Sequence, residues 1–278
     1  MSTATRTAAT VLFDAPGPRA RLRYRLFGVL ALAGIAGLFG YAYVKLADAG
    51  QFDAELWSAF QYKAVQQRIL DGALATLKAF GLAAAGSLVL GALLAAGRLS
   101  DHRPVRAVCG GVVEFFRAMP LLIMIFALYR GVFSAEPLWA LVVGLTLYNG
   151  AVQAEVIRAG VHAVPRGQSE AAYALGLRKT QTMTLVLVPQ AVRSMLPAII
   201  GQLVVTLKDT SLGFVITYPE LLYAGKIIAS NSPGYPYIPM IMVIGPLYVG
   251  LCLILTAVAR RLEARSRRGA NRRTPAAA

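Results

Sequence analysis

Long uncharged stretches separated by short charged segments give the chain its pattern of hydrophobic and polar positions. A membrane-spanning helix needs about 20 consecutive, mostly apolar residues. Six stretches come close to that length and carry few charges: residues 26–44, 74–97, 105–129, 137–157, 196–216 and 237–259. The pattern therefore predicts an all-α polytopic membrane protein with about six transmembrane helices.

The third of these stretches contains two charges and a proline near its middle. Glu114 and Arg117 stand three residues apart, which places them on one face of a helix, so we expect them to pair. Pro120 lacks the N–H group that a helical hydrogen bond requires, so we expect it to bend the helix.

Composition agrees with a membrane protein and excludes several other classes. The 278 residues are 57% hydrophobic and 15% charged, whereas a soluble domain is usually about one quarter charged. Apolar residues are too plentiful for a disordered chain. Cys109 and Cys252, which are the two cysteines, both lie in apolar surroundings, and this excludes a disulfide scaffold.

The net charge of +15 fits either a nucleic-acid binder or a membrane protein with basic edges. The location of the charges decides between them. With the N-terminus inside, the segments on the inner side hold 20 Lys and Arg against four acidic residues, and those on the outer side hold five against six. Cytoplasmic loops of membrane proteins carry such a basic excess, so we expect both termini to be cytoplasmic and no nucleic-acid partner.

The first stretch has a second interpretation as a secretory signal. Arg19, Arg21, Arg23 and Arg25 precede it, and residues 47–49 resemble a cleavage site. Its apolar part exceeds the usual 7–15 residues of a signal core. The length favours an uncleaved membrane anchor, and the rest of the topology is the same in both cases.

Motifs for catalysis and metal binding are absent from the sequence. The chain has no phosphate-binding G-x-x-x-x-G-K-[ST] loop and no G-x-S-x-G nucleophile pattern. His102 and His162 have no Cys or second His at a metal-ligand spacing. We therefore expect no catalytic residue, no metal site and no cofactor bound by this chain.

The inner loop before the fifth stretch predicts a short helix of its own. Pro165 suits the first turn of a helix, and Gly176 suits its C-terminal end. Ala171, Ala172 and Ala174 between them are small and allow another surface to approach closely. By composition alone, an ordinary connection between two spans is the better interpretation.

The spacing in this loop resembles a known motif. Glu170-Ala171-Ala172, then Gly176 after three residues, then Val186 and Val188-Pro189, is similar to the EAA loop of ABC-importer permeases, whose pattern is EAA-x3-G-x9-I-x-LP. Val186 and Val188 are conservative departures from that pattern. Runs at 76–78, 155–160, 165–168 and 208–212 resemble the polar amino-acid branch of the family, the histidine, glutamine and glutamate type. The N-terminal run 12–18 and the extra first span resemble actinobacterial glutamate permeases.

The resemblance covers about residues 70–260 and implies a five-helix ABC type I importer core preceded by one extra helix. It implies a basic N-terminus at 1–25, the extra helix at 26–44, an extracytoplasmic segment at 45–69, a transmembrane domain at 70–262 and a basic tail at 263–278. The coupling loop is then 163–190, and its contact residues to the ATPase are Glu170, Ala171, Ala172 and Gly176.

The family also implies partners and a location. It predicts two ATP-binding cassette ATPase subunits that use ATP and Mg, a second permease that is identical or homologous, and an extracytoplasmic amino-acid-binding protein. The chain itself is then not an enzyme but a multi-pass permease of the bacterial cytoplasmic membrane. The implied substrate is a polar amino acid of the glutamate or aspartate kind, with glutamine and basic amino acids as rivals.

Charged and hydroxyl side chains inside the spans are the candidates for a substrate pathway. An ionisable group there is costly and usually faces a partner or a watery cavity. The candidates are Glu155, Lys208, Asp209, Thr210 and Ser211. Glu155 is a candidate for a substrate amino group and Lys208 for a carboxylate, and Asp209 is a candidate cap for a helix break. A purely structural ion network is the alternative.

Two other function classes fit the composition less well. An ion-coupled secondary amino-acid transporter is expected to show two related halves or inverted repeats, and the sequence shows none. A membrane-embedded enzyme is expected to carry a nucleophile, a His cluster or paired carboxylates. The secondary transporter is therefore the main alternative to an ABC permease.

Overall fold

The computed structural model describes residues 17–271, with side chains described as far as Arg261. The start of the 12–18 run and residues 272–278 of the predicted basic tail therefore lie outside the described residues. The chain divides into two compact units, Met1–Asp53 and Ala54–Ala278.

The first unit contains one long helix, α1 (Pro18–Asp48), which is long and apolar enough to cross a membrane. None of its described side chains is buried within the unit. Gly50 adopts a left-handed φ of 68°, and its N–H donates to the carbonyl of Ala47, so the chain turns directly after the helix. The rings of Tyr43 and Phe52 then stack with centroids 5.1 Å apart.

All regular secondary structure in the described residues of the second unit is helical, with no strand, and this confirms the predicted all-α class. Its helices are α2 (Lys63–Arg98), α3 (Arg103–Ala118), α4 (Leu121–Gly131), α5 (Pro137–His162), α6 (Arg166–Ala174), α7 (Lys179–Gln181), α8 (Val188–Asp209), α9 (Leu221–Asn231) and α10 (Tyr237–Asn271). Short 3-10 segments occupy Ala54–Gln61 and Thr210–Ile216, and one π-helical turn occupies Thr182–Leu187.

Five described helices are long and apolar enough to cross a membrane, or six if one bent pair counts as a span. The bent pair is α3 with α4, whose axes differ by 98°. The break lies at Met119 and Pro120, where proline removes a helical hydrogen bond as the sequence predicts. The helix that includes α7 and α8 runs from Lys179 to Ile216 and so begins earlier than the predicted span at 196.

Helices α2 and α5 form the centre of the second unit. Ala83, Ser87, Gly91 and Ala95 make a stripe of small residues every four positions on α2, and all four are buried. A Cβ atom at Gly91 would lie 2.7 Å from the Cβ of Gln153 on α5, closer than real Cβ contacts. The stripe therefore lets the two helices approach closely in the way small residues do in membranes.

Helices α5 and α8 run antiparallel, as two hydrogen bonds show. Gln202 donates to the Oδ1 atom of Asn149 at 2.8 Å, and Gln153 donates to the carbonyl of Ile199 at 3.4 Å. Residue numbers thus rise on one helix as they fall on the other. Asn149 and Gln153 are fully buried, so these amides replace water contacts that are missing inside the bundle.

Residues 218–236 contain a helix, although their Pro, Gly, Tyr, Asn and Ser content predicts only a structured loop. Helix α9 begins after Glu220, whose carboxylate accepts hydrogen bonds from the N–H groups of Leu222 at 2.8 Å and Tyr223 at 2.7 Å. Leu221 and Ile228 bury one face of the helix. An N-terminal cap and tertiary burial therefore stabilise a helix that local composition does not indicate.

Candidate functional site

The predicted helix in the loop before the fifth span is present as α6. Pro165 stands at its N-terminal boundary, and Gly176 follows its C-terminus with φ 78°. The N–H of Gly176 donates to the carbonyl of Tyr173 at 2.9 Å, and that of Leu177 donates to the carbonyl of Ala172 at 3.2 Å. These two bonds close the helix around a left-handed residue, a conformation that glycine adopts without strain.

The two faces of this loop differ in what they contact. Ala172 is buried against the bundle, whereas Glu170, Ala171 and Gly176 are exposed. Two large apolar side chains beside them are exposed as well: Tyr173 is 49% exposed and Leu175 is 83% exposed. Sequence reasoning missed this pair, although apolar residues in a loop outside the membrane are a signal of a contact surface. We call Glu170, Ala171, Tyr173, Leu175 and Gly176 the α6 surface.

The α6 loop is tied to the ends of the long helices. The side chain of Gln190 on α8 donates to Gln168 on α6 at 3.2 Å. Beyond the loop, Lys179 donates to the carbonyl of Leu99 at 3.3 Å and pairs with Asp101. The hydrogen bond from Lys179 holds the pKa of the Asp101 carboxyl below its ordinary value. These contacts connect α6 to the start of α8, and the segment that follows α6 to the residues directly after α2.

Glu155 lies in a cluster of arginines near the end of α5. Its carboxylate is 2.7 Å from Nη1 of Arg98 and 3.9 Å from Nη1 of Arg117, and it also pairs with Arg158. The predicted pair of Glu114 with Arg117 is not formed. Glu114 is instead 4.0 Å from Arg98, because the better-buried carboxylate of Glu155 attracts the neighbouring guanidinium groups.

The other four candidates, Lys208, Asp209, Thr210 and Ser211, lie at the C-terminal end of α8 and directly after it. Helix α8 ends at Asp209, where a break was predicted, but the Asp209 side chain makes no capping hydrogen bond. The hydroxyl of Ser211 donates to the carbonyl of Lys208 at 2.8 Å, and the hydroxyl of Thr210 lies 2.9 Å from that of Tyr248. Tyr248, on α10, is a polar residue of this region that the sequence did not single out.

Glu155 and Lys208 are not brought together. The hydrogen bond between Gln153 and Ile199 places these two residues at the same level of the antiparallel helices. Glu155 lies two residues beyond Gln153 towards one end of the bundle, and Lys208 lies nine residues beyond Ile199 towards the other end. At 1.5 Å per residue, about 16 Å of helix separates their levels, which is more than the length of one amino acid. The roles predicted for them in substrate binding stay predictions.

Lys208 faces a cavity of about 580 Å³ between the end of α8, α9 and the first part of α10. The polar residues that line it are Lys208, Ser211, Lys226, Tyr237 and Tyr248, and the rest of the wall is mainly apolar. The Nζ atom of Lys226 is 4.7 Å from the centroid of the Phe214 ring, a distance at which a cation is attracted to an aromatic face. We call this space the lysine cavity.

Neither lysine of this cavity has a carboxylate within 4.0 Å among the side chains that the structure describes. The oxygens of nearby Glu220 are occupied by the N–H groups at the start of α9. Lys226 was missed as a candidate, although a lysine among apolar residues is a recognisable signal. Within residues 17–261, no group of three or more His, Cys, Asp or Glu side chains is placed to hold a metal ion.

Comparison with known proteins agrees with the predicted permease family. Residues 87–268 match the family of binding-protein-dependent transport system inner membrane components. The glutamate transport system permease protein GluD of Corynebacterium glutamicum is 41% identical over 82% of this chain and 86% of its own length. The arginine transport system permease protein ArtQ of Bacillus subtilis is 32% identical over 70% of this chain and 90% of its own length.

A solved structure is similar as well. The crystal structure of an amino acid ABC transporter with histidines superposes with a TM-score of 0.67 at 30% identity, covering 72% of this chain and 94% of that one. Both the transmembrane arrangement and the sequence match over most of the second unit. The chain belongs to the family of binding-protein-dependent transport inner membrane components and is a permease of the amino-acid ABC importer class.

Proposed function

We propose that this permease imports acidic amino acids, glutamate or aspartate, across a bacterial cytoplasmic membrane. The energy comes from ATP hydrolysis in two separate ATPase subunits, which use ATP and Mg. A second permease subunit completes the membrane part, and an extracytoplasmic binding protein delivers the substrate. Both termini are cytoplasmic, as the distribution of Lys and Arg supports.

The α6 surface supports docking of the ATPase at this loop. It combines small side chains at Ala171 and Gly176, which allow close approach, with the exposed apolar side chains of Tyr173 and Leu175. Exposed apolar groups rimmed by polar residues mark protein contact sites. The bonds of Gln190 to Gln168 and of Lys179 to Leu99 give such a partner a mechanical connection to the spans.

The lysine cavity is the main structural support for an acidic amino acid as the substrate. Lys208 and Lys226 place two ammonium groups in a mainly apolar cavity without a carboxylate partner among the described side chains. Such charges are costly to leave uncompensated in a membrane. Glutamate and aspartate each carry two carboxylates, whereas glutamine and arginine each carry one. Two ammonium groups therefore favour the acidic substrates.

The test compares uptake of several amino acids by single lysine variants. The permease is reconstituted with its ATPase and binding protein in vesicles, and ATP-driven uptake of labelled glutamate, aspartate and glutamine is measured. Lys226→Met and Lys208→Met are each expected to raise the concentration of glutamate needed for half-maximal uptake about tenfold or more, since each removes one charged hydrogen bond to a carboxylate. Lys63→Met is the matched control, because Lys63 is exposed and lies outside the cavity.

Uptake of acidic amino acids that is unchanged in both cavity variants would remove the lysine cavity from the substrate pathway. Uptake of glutamine alone by the wild type would contradict the proposed acidic substrate, although it would still agree with an ATP-driven importer. Uptake driven by a proton or sodium gradient without ATP would contradict the ABC mechanism and support a secondary transporter.

A further inference from the structure

A second cavity lies near the inner ends of the spans, apart from both the lysine cavity and the α6 surface. Its volume is about 300 Å³. Four basic side chains from four different helices converge on it: Arg98 from α2, Arg106 from α3, Arg158 from α5 and Lys179 from α7. We call this space the basic pocket. Residues far apart in sequence supply its charges, so the tertiary fold, and not one charged segment, creates it.

The acidic groups in contact with the basic pocket do not neutralise it. Asp101 pairs with Lys179, and Glu155 is shared between Arg98 and Arg158. Two carboxylates therefore face four cations, which leaves two positive charges. At the edge of the cluster, Glu114 lies 4.0 Å from Arg98 and Arg117 lies 3.9 Å from Glu155, so including these two residues leaves the net charge unchanged.

Donor groups remain unused in the basic pocket. A guanidinium group has five N–H donors. Among the described atoms, Arg106 makes one bond, from Nη1 to the carbonyl of Ser100 at 3.0 Å. Arg158 uses Nε and Nη2 on Glu155, which leaves its Nη1 without a partner in the described part of the chain. Glu155 thus holds one guanidinium in place while that group keeps donors for an anion.

The depth of the basic pocket indicates where its anion comes from. Arg98 is the last residue of α2 and His162 the last residue of α5, and both helices are long and apolar enough to cross the membrane. Close to Arg106 on the same helix, the side chains of Val105 and Val108 are 44% and 66% exposed. Arg106 therefore lies at a border between apolar surface and the charged end of the bundle, which is the level of lipid headgroups.

We propose that the basic pocket binds the phosphate group of an anionic phospholipid of the inner leaflet. Basic pockets between transmembrane helices on the cytoplasmic side recognise such headgroups, and guanidinium forks match phosphate oxygens in geometry and charge. Free phosphate presents the same oxygens, but it is not concentrated at this depth. The proposal uses the inside orientation given under the proposed function and needs no transport activity.

The experiment measures lipid dependence of the full-length permease in nanodiscs of phosphatidylcholine with and without phosphatidylglycerol. Phosphatidylglycerol is expected to raise the melting temperature of the wild type and to remain bound through purification in neutral detergent. In Arg106→Gln, retention of phosphatidylglycerol is expected to fall about tenfold, as loss of one charge-assisted hydrogen bond predicts. The stabilisation by this lipid is expected to disappear with it.

Arg103→Gln is the matched control, because Arg103 is exposed on the same helix and does not line the basic pocket. Equal melting temperatures of the wild type and both variants in pure phosphatidylcholine show that the fold is kept. Equal retention of phosphatidylglycerol by Arg106→Gln and Arg103→Gln would overturn the proposal. Protection by inorganic phosphate in phosphatidylcholine discs, with no added effect of phosphatidylglycerol, would overturn the lipid as the source. These outcomes are independent of whether glutamate is the substrate.

Discussion

Glu220 shows how a single buried side chain makes the fold sensitive to pH. Its carboxyl is fully buried, and this burial raises its pKa from 4.5 to about 7, although the N–H groups of Leu222 and Tyr223 act in the opposite direction. The folded protein therefore holds a proton on Glu220 at pH values where the unfolded chain has released it. The associated stability is present below pH 4.5 and is lost as the pH rises through about 7.

We therefore expect Glu220→Gln to remove a pH dependence that the wild type has. Between pH 4.5 and 7.5, the wild type is expected to lose on the order of 3 kcal/mol of stability relative to the variant. Thermal unfolding in detergent at several pH values measures this difference. Glu55→Gln, at an exposed position of a 3-10 segment, is the control and should behave as the wild type. Parallel pH profiles for Glu220→Gln and the wild type would contradict the assignment.

At the residue scale, sequence reasoning found Lys208 and missed Lys226. Lys208 stands inside a long apolar stretch, where any charge is conspicuous. Lys226 stands in a segment rich in turn-forming residues, and its importance depends on α9 packing against α10 beside the lysine cavity. The arginines around Glu155 come from three helices, and such a juxtaposition is a property of the tertiary fold.

At the scale of elements, the helices with local signals were predictable. The bounds of α6 follow from Pro165 and Gly176, and the break between α3 and α4 follows from Pro120. Helix α9 was not predictable, because burial of its apolar face and the cap from Glu220 outweigh the turn-forming residues that flank it. The π-helical turn Thr182–Leu187 has no recognisable local signal.

The end of α6 offers a test of coupling. Gly176 has φ 78° and no atom within 4 Å of an added Cβ, so Gly176→Asp places a charge on the α6 surface without a clash inside the chain. We expect normal insertion into the membrane but a drop of about tenfold or more in ATP-driven uptake, because an unpaired charge at a docking surface is costly.

Gly176→Asn is the matched control, since it adds nearly the same bulk without the charge and tolerates a left-handed φ. It is expected to retain more uptake than Gly176→Asp. Association with the ATPase and uptake at wild-type levels in Gly176→Asp would show that this surface does not couple transport to ATP hydrolysis.

At the scale of the whole molecule, the apolar stretches and the sidedness of the charges predicted a membrane protein with about six spans, and the described residues contain five helices of sufficient length, or six spans if the bent pair counts as one. Five described helices have 25 or more residues and a strongly apolar window, and hydropathy identifies membrane spans over windows of about 19 residues. Which helices contact each other was not predictable, because the approach of α2 to α5 and the amide bonds between α5 and α8 depend on matching surfaces.

The proposed orientation can be tested by labelling with a membrane-impermeant maleimide. Single cysteines are introduced by Ser58→Cys and Ala174→Cys after Cys109 and Cys252 are replaced by serine, and both new positions are exposed. The Ser58 position should be labelled in intact cells and the Ala174 position only after permeabilisation, because they lie on opposite sides in the positive-inside topology. The reverse pattern would invert the topology.

The bend between α3 and α4 has a consequence for how this protein is solvated. Helix α3, with 16 residues, is about 24 Å long and α4, with 11, is about 16 Å long, so neither crosses a hydrocarbon core of about 30 Å alone. Helix ends leave backbone N–H and C=O groups without helical partners, and no side chain caps either end at the bend. Hydrocarbon cannot satisfy such groups. The backbone around residues 119–120 therefore requires hydration or protein contact, and lipid cannot coat the chain evenly there.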